Sequence, residues 1–176
     1  YLKNYNFALK LMHLNKIKYN LINKAVSISS GEETLFIPSH KKFSVLSGCA
    51  SLMKPGKIMK KMYGKQQYKK VKVLTISINE IIKKYNNKNV LIKLDTEGHE
   101  LQVLEGATGM FSQIKPLLII ESFPPRQKKV VEFLLDYGYS IIDADRKVDI
   151  SLKTQNLFAW HPDGPLDQSM IKTCIY

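Results

Sequence analysis

The sequence predicts an α/β chain built on a mostly parallel sheet. Two observations point that way, both in the second half. Apolar runs recur in "NVLIKLD", "PLLIIES" and "YSIIDAD". Between them lie "HELQVLEGATGMF" and "PPRQKKVVEFLLDYG", whose apolar residues fall at helical spacing. Buried strands alternating with amphipathic helices belong to parallel sheets covered on both faces. In such sheets ligands gather beyond the carboxyl ends of the strands.

Taken in order, "YNFALKLMHLNK" sets Phe7, Leu11 and Leu14 at helical spacing and predicts an amphipathic helix over 5–16. "YNLINKAVSIS" is strand-like, and "SSGEETLFI" reads as a turn at Gly31 into a second strand. Residues 38–70 have no sustained period and form a long lysine-rich excursion with room for a short helix. "VKVLTISINEIIKKY" predicts a strand to Thr75 and a short helix capped by Ser77. "NVLIKLD" predicts a buried strand ending at Asp95. The following segment puts Leu101, Leu104, Ala107 and Phe111 near one helical face. "PLLIIES" is a fully apolar strand ending at Glu121. The next helix carries Val130, Leu134 and Tyr137 on one stripe and stops at Gly138. "YSIIDAD" and "NLFAWH" close the chain as strands.

A length of 176 residues with 44% hydrophobic content suits a single domain, 1–176, with a real core. No apolar run approaches the roughly 20 residues that span a bilayer. Cys49 and Cys174 make no framework, so a reduced, cytoplasmic setting is expected. The net charge of +12 is carried almost wholly by lysine, the only arginines being Arg126 and Arg146. Nucleic-acid readers favour arginine for bidentate contacts, so a nucleic-acid partner is not the leading expectation. A basic RNA-binding module built on Lys54–Lys72 with Tyr63 and Tyr68 is kept as an alternative.

Asp95, Glu97 and Glu100 crowd one helix start. Carboxylates there are stabilised by the helix dipole by about 0.3–1 kcal/mol each, which accounts for some of the crowding. Asp95 ends the strand itself, and Glu121 ends the next, so the two acids define a candidate pocket rim. His99 has no partner at metal-ligand spacing, and no metal site is expected. Cys49 has no histidine base at a recognisable spacing.

These residues carry a family resemblance. "LIKLDTEGHELQVLEGA" resembles the signature of the FkbM S-adenosylmethionine-dependent methyltransferases through Ile92, Lys93, Asp95, Glu97, Gly98, Glu100, Leu104, Gly106 and Ala107. "KPLLIIES" with Pro116 and Glu121, "NKAVSISSGEETLFI", "GCASL" and "LTISINEII" resemble flanking segments of the same family. One departure is Asn79, where the family usually has aspartate.

The resemblance implies a Rossmann-like class I methyltransferase sheet, mostly parallel with a C-terminal antiparallel strand. It also implies an upstream glycine-rich turn and first strands that this sequence does not contain, so a partial, N-terminally truncated domain is expected. By the same resemblance S-adenosylmethionine is the cofactor, held in part by Asn23, Ala25, Val26 and Asp95. Its methyl group is expected to pass to a hydroxyl of a small-molecule or glycan acceptor, a saccharide or secondary metabolite. Asp95 is the first choice for general base and Glu97 the second, with Glu121 orienting the acceptor. The alternatives are an inactive fragment, self-associating through an exposed sheet edge, and the RNA-binding module.

Overall fold

The computed structural model describes residues 2–39, 47–54, 67–83, 89–145, 148–149 and 155–165. Alternation builds its longest strand pair. In β2 (Gly31–Ser39) Leu35 and Ile37 are buried, and β3 (Gln67–Ile76) alternates exposed Lys70, Lys72 and Leu74 with more enclosed Val71, Val73 and Thr75. The two run antiparallel, from Gly31 opposite Thr75 to Ser39 opposite Gln67. The short β1 (Ala25–Val26) joins the other side of β3 in parallel, giving a three-stranded sheet in the order β1-β3-β2.

The second sheet contains β4 (Leu91–Leu94), β5 (Leu117–Glu121), β6 (Ser140–Asp143), β7 (Val148–Asp149) and β8 (Asn156–Trp160), in the order β4-β5-β8-β6-β7. β4 and β5 are parallel, and β8 lies antiparallel between β5 and β6. β4, β5 and β6 therefore share one direction. The expected antiparallel C-terminal strand is present, but a single mostly parallel sheet is not. The described residues form two sheets, both mixed. β8 inserts against the direction of its neighbours, β6 and β7 pair as an antiparallel ribbon, and β2 pairs with β3 outside the main sheet.

Helices fill the crossovers. α1 (Leu2–Leu14) precedes β1, and α2 (Ile78–Ile82) starts at Ser77, whose Oγ accepts from the Glu80 N–H at 3.2 Å. α3 (Glu100–Glu105) and α4 (Thr108–Gln113) link β4 to β5. The expected single helical face of Leu101, Leu104, Ala107 and Phe111 is thus shared by two short helices. α5 (Gln127–Asp136) buries Val130 and Leu134 completely and ends before Gly138, whose φ of 77° suits glycine. Helices α2 to α5 pack with β5 and β8 in one core of Val103, Leu104, Phe111, Leu118, Ile120, Leu157 and neighbours. Tyr139 closes it: its hydroxyl donates to the Pro116 carbonyl at 3.0 Å, and burial pushes its pKa up.

Two expectations need correction. β4 is not a fully buried strand, because it forms an edge of its sheet and leaves Leu91 60% exposed. The apolar stripe of α1 exists, yet nothing among the described residues covers it; Phe7 and Leu14 are 69% and 78% exposed. Of the lysine-rich excursion expected over 38–70, residues 38–39 and 67–70 belong instead to β2 and β3, 47–54 are described with a 3₁₀ turn at Ser47–Cys49, and 40–46 and 55–66, Tyr63 among them, lie outside the described residues. No helix among the described residues is long and apolar enough to cross a membrane.

Candidate active site

The chain leaves β4 through a turn that sequence spacing alone does not reveal. Glu97 (φ 54°) and Gly98 (φ 95°) are both left-handed, a conformation costing a non-glycine residue roughly 1–2 kcal/mol. Two contacts hold it. The Glu100 carboxylate, 1% exposed, accepts from Thr96 Oγ1 at 2.9 Å and from the Gly98 N–H at 2.8 Å. Ser51 donates its hydroxyl to the Glu97 carbonyl at 2.9 Å, while its own backbone pairs with Phe36 of β2. Glu100 is therefore the acid that shapes the turn. Ser51, from the "GCASL" segment, ties it to the other sheet.

The register of β4 and β5 pairs Leu94 with Ile120, so Asp95 and Glu121 emerge side by side at the carboxyl rim. Glu97 joins them. Its carboxyl is half-buried and titrates above the ordinary glutamate range, first because of burial and then because of Asp95, Glu121 and Glu100. Asp95 is more exposed and faces Lys93 Nζ at 3.4 Å, a solvent-screened pair of little energetic weight. Burial, then Glu97 and Asp95, push the Cys49 thiol up, which keeps it protonated and unsuited to nucleophilic attack. Among the described residues no three His, Cys, Asp or Glu side chains could together hold a metal ion.

Two adjoining cavities open beside the turn. The smaller, about 20 Å³, is lined by Glu97, Ser51, Cys49, Tyr68 and Phe36 and has room for about one water. The larger, about 380 Å³, is lined by Gly98, Glu100, Leu101, Pro125, Lys129 and Val130. Met53 and Arg126 belong to both. Arg126 lies across Gly98 so closely that a Cβ there would come within 1.9 Å of Nη1. Tyr68, a candidate for stacking on RNA bases, faces the Glu97 cavity instead.

The structure thus brings Asp95, Glu97 and Glu121 to one rim. Asn23 and Ala25 line a separate cavity of about 730 Å³ with Lys24, Lys69, Lys70 and Lys72, while Val26 pairs with Ile76 in β1. The link between the two regions is Ser27. His99, 6% exposed, meets Ser27 Oγ through Nε2 at 2.9 Å, and Ser27 donates to Glu33 Oε1 at 2.5 Å. With the Ser27 proton committed to Glu33, Nε2 is the protonated nitrogen of His99. Burial lowers the His99 pKa, against the opposing pull of Glu33, Glu100 and Glu105. Asn79 accepts through Oδ1 from the Met110 N–H at 3.2 Å, a contact that needs an acceptor oxygen and no charge.

Sequence reasoning assigned no role to Ser51, Ser27 or Arg126. A signal existed for two of them. Ser51 sits in a segment that resembles the family's, and Arg126 is one of two arginines in a lysine-dominated chain.

A family model described as "Methyltransferase FkbM domain" matches residues 3–141. No curated protein and no solved structure matches the chain.

Proposed function

The chain belongs to the FkbM methyltransferase family, and from that premise we propose that it methylates a hydroxyl oxygen of a saccharide or secondary metabolite, with S-adenosylmethionine as donor. The observation that carries this reading is the crowding of Asp95, Glu97 and Glu121 at one strand-end rim beside a cavity.

The rim's charge fits such a donor. When bound, S-adenosylmethionine would supply a methyl group carried on a positively charged sulfur. The like charges of Asp95, Glu121 and Glu100 help to raise the Glu97 carboxyl, and a cation beside them offsets that repulsion. The lysines around Asn23 and Ala25 do not suit a sulfonium. In this proposal Asn23, Ala25 and Val26 contact the uncharged adenosine portion.

Glu97 is the preferred general base. A raised pKa brings a carboxylate nearer to the basicity that proton transfer at neutral pH favours. Its carboxylate would accept the proton of the acceptor hydroxyl as that oxygen takes the methyl group and the carbon–sulfur bond breaks, with the neutral thioether S-adenosylhomocysteine leaving. Asp95, the base expected from the strand-end position, holds its negative charge on the donor side and keeps Glu97 basic. Glu121 orients the acceptor. Holding both reactants in line supplies much of the rate, since well-aligned pairs reach effective molarities of about 10⁵ M or more.

Incubating the purified chain with methyl-labelled S-adenosylmethionine and a panel of neutral and acidic sugars tests the reading. Label is expected on an acceptor oxygen, in a product resistant to mild base. Label appearing only on nitrogen, or as base-labile esters, contradicts hydroxyl methylation.

A further inference from the structure

Resting on the methyl-transfer reading, we infer that the acceptor carries an anionic oxygen group, a carboxylate or a phosphate, and that Arg126 and Lys129 hold it in the 380 Å³ cavity beside Glu97.

The walls of this cavity divide by chemistry. Met53, Leu101, Pro125 and Val130 are apolar, and Arg126 and Lys129 bring two cations. Its volume falls within the roughly 300–1,000 Å³ of small-molecule pockets. Among the described residues the one acid on its wall, Glu100, is buried and directs Oε1 to Thr96 and Gly98. Neighbouring Lys128 is paired with Glu132 at 3.7 Å, but neither Arg126 nor Lys129 forms an ion pair among the described residues. Stability does not account for their position. The start of α5 is the positive end of its dipole, where cations are disfavoured, and no acid in its first turn balances them.

The choice of arginine is informative. The chain has 27 basic residues of lysine and arginine, and Arg126 is one of only two arginines. A guanidinium offers a planar fork matched to carboxylate or phosphate oxygens, which an ammonium does not. Gly98, lacking a side chain, leaves the space over which that fork lies. Because Arg126 and Glu97 line the same small cavity, an anion held at Arg126 anchors a molecule whose hydroxyl can approach the Glu97 carboxylate. A neutral acceptor leaves both cations unused, so the site selects acidic sugars over neutral ones.

Calorimetric titration of the full chain with glucuronate, glucose 6-phosphate and glucose, without methyl donor, tests this. At least one acidic sugar is expected to bind about tenfold or more tightly than glucose, and the better of the two identifies carboxylate or phosphate. Arg126→Gln and Lys129→Gln are each expected to weaken that binding about tenfold, and Arg126→Lys to recover only part of it. Lys10→Gln, on α1, which lines neither cavity, controls for the general basic charge and is expected to change nothing. Equal affinity for glucose and both acids overturns the inference, as does equal weakening by Lys10→Gln and Arg126→Gln. The two readings fail separately. Arg126-dependent binding with no methyl transfer to any sugar sinks only the catalytic proposal, and methylation of neutral sugars at equal efficiency sinks only the anion site.

Discussion

Glu97→Gln is expected to lower methyl transfer by about 10²–10⁴-fold, the usual contribution of a positioned general base, while making the chain harder to unfold. The two effects share one cause. Burial and the charges of Asp95, Glu121 and Glu100 place the folded-state pKa of Glu97 above its reference value of 4.5. Between those two values the native state binds more protons than the unfolded one, so stability falls as pH rises through the window. Glutamine cannot ionise and removes that fall. The thermal midpoint of the variant should therefore exceed that of the parent by more at pH 7 than at pH 4. Initial rates and melting curves at both pH values check the pair of effects. A variant less stable at pH 7 with near-parent turnover contradicts the base assignment.

Gly106→Ala is expected to destabilise the fold by about 1–3 kcal/mol, typical of overpacking a tight site. An added Cβ would lie 2.5 Å from the Ser27 carbonyl oxygen and 2.8 Å from Ile28 Cα, both backbone atoms that cannot swing aside. Relief requires the segment after β1 to move away from α3, which also disturbs the Ser27–His99 contact of 2.9 Å. For a chain of this length each kcal/mol lowers the thermal midpoint by about 2–4 °C. Gly48→Ala is the control, since nothing among the described residues lies within 4 Å of its added Cβ. Differential scanning calorimetry of both variants measures the contrast. Equal midpoints mean that the Ser27–Ile28 backbone does not lie this close to Gly106.

Much of the second sheet was legible because its signals are local. The run of β5 is apolar throughout, and the stripe of Val130 and Leu134 with Gly138 after it marks α5 without reference to any other segment. The division into two sheets was not legible. Nothing within "SGEETLFI" or "VKVLTI" says that these strands pair with each other rather than with β4, because pairing depends on partners distant in sequence. The same limit applies to β4, whose apolar residues look buried until its edge position is known.

The acids show the limit most sharply. Spacing set Asp95, Glu97 and Glu100 at one helix start, strand ends set Glu121 beside Asp95, and register brings Asp95 and Glu121 together. Spacing could not say which acid is structural. That depends on the left-handed turn at Glu97 and Gly98, which folds Glu100 back onto the backbone and leaves Glu97 facing a cavity. Ser51 escaped notice because its role depends on a contact 46 residues away in sequence.

Titrating the Glu97 carboxyl by carbon-13 NMR, with and without S-adenosylmethionine, tests the carboxylate rim most directly, the resonance being assigned by its loss in Glu97→Gln. The rim predicts a midpoint above 4.5 in the free chain that falls when the cationic donor is added. A midpoint at 4.5 or lower, unmoved by the donor, contradicts it.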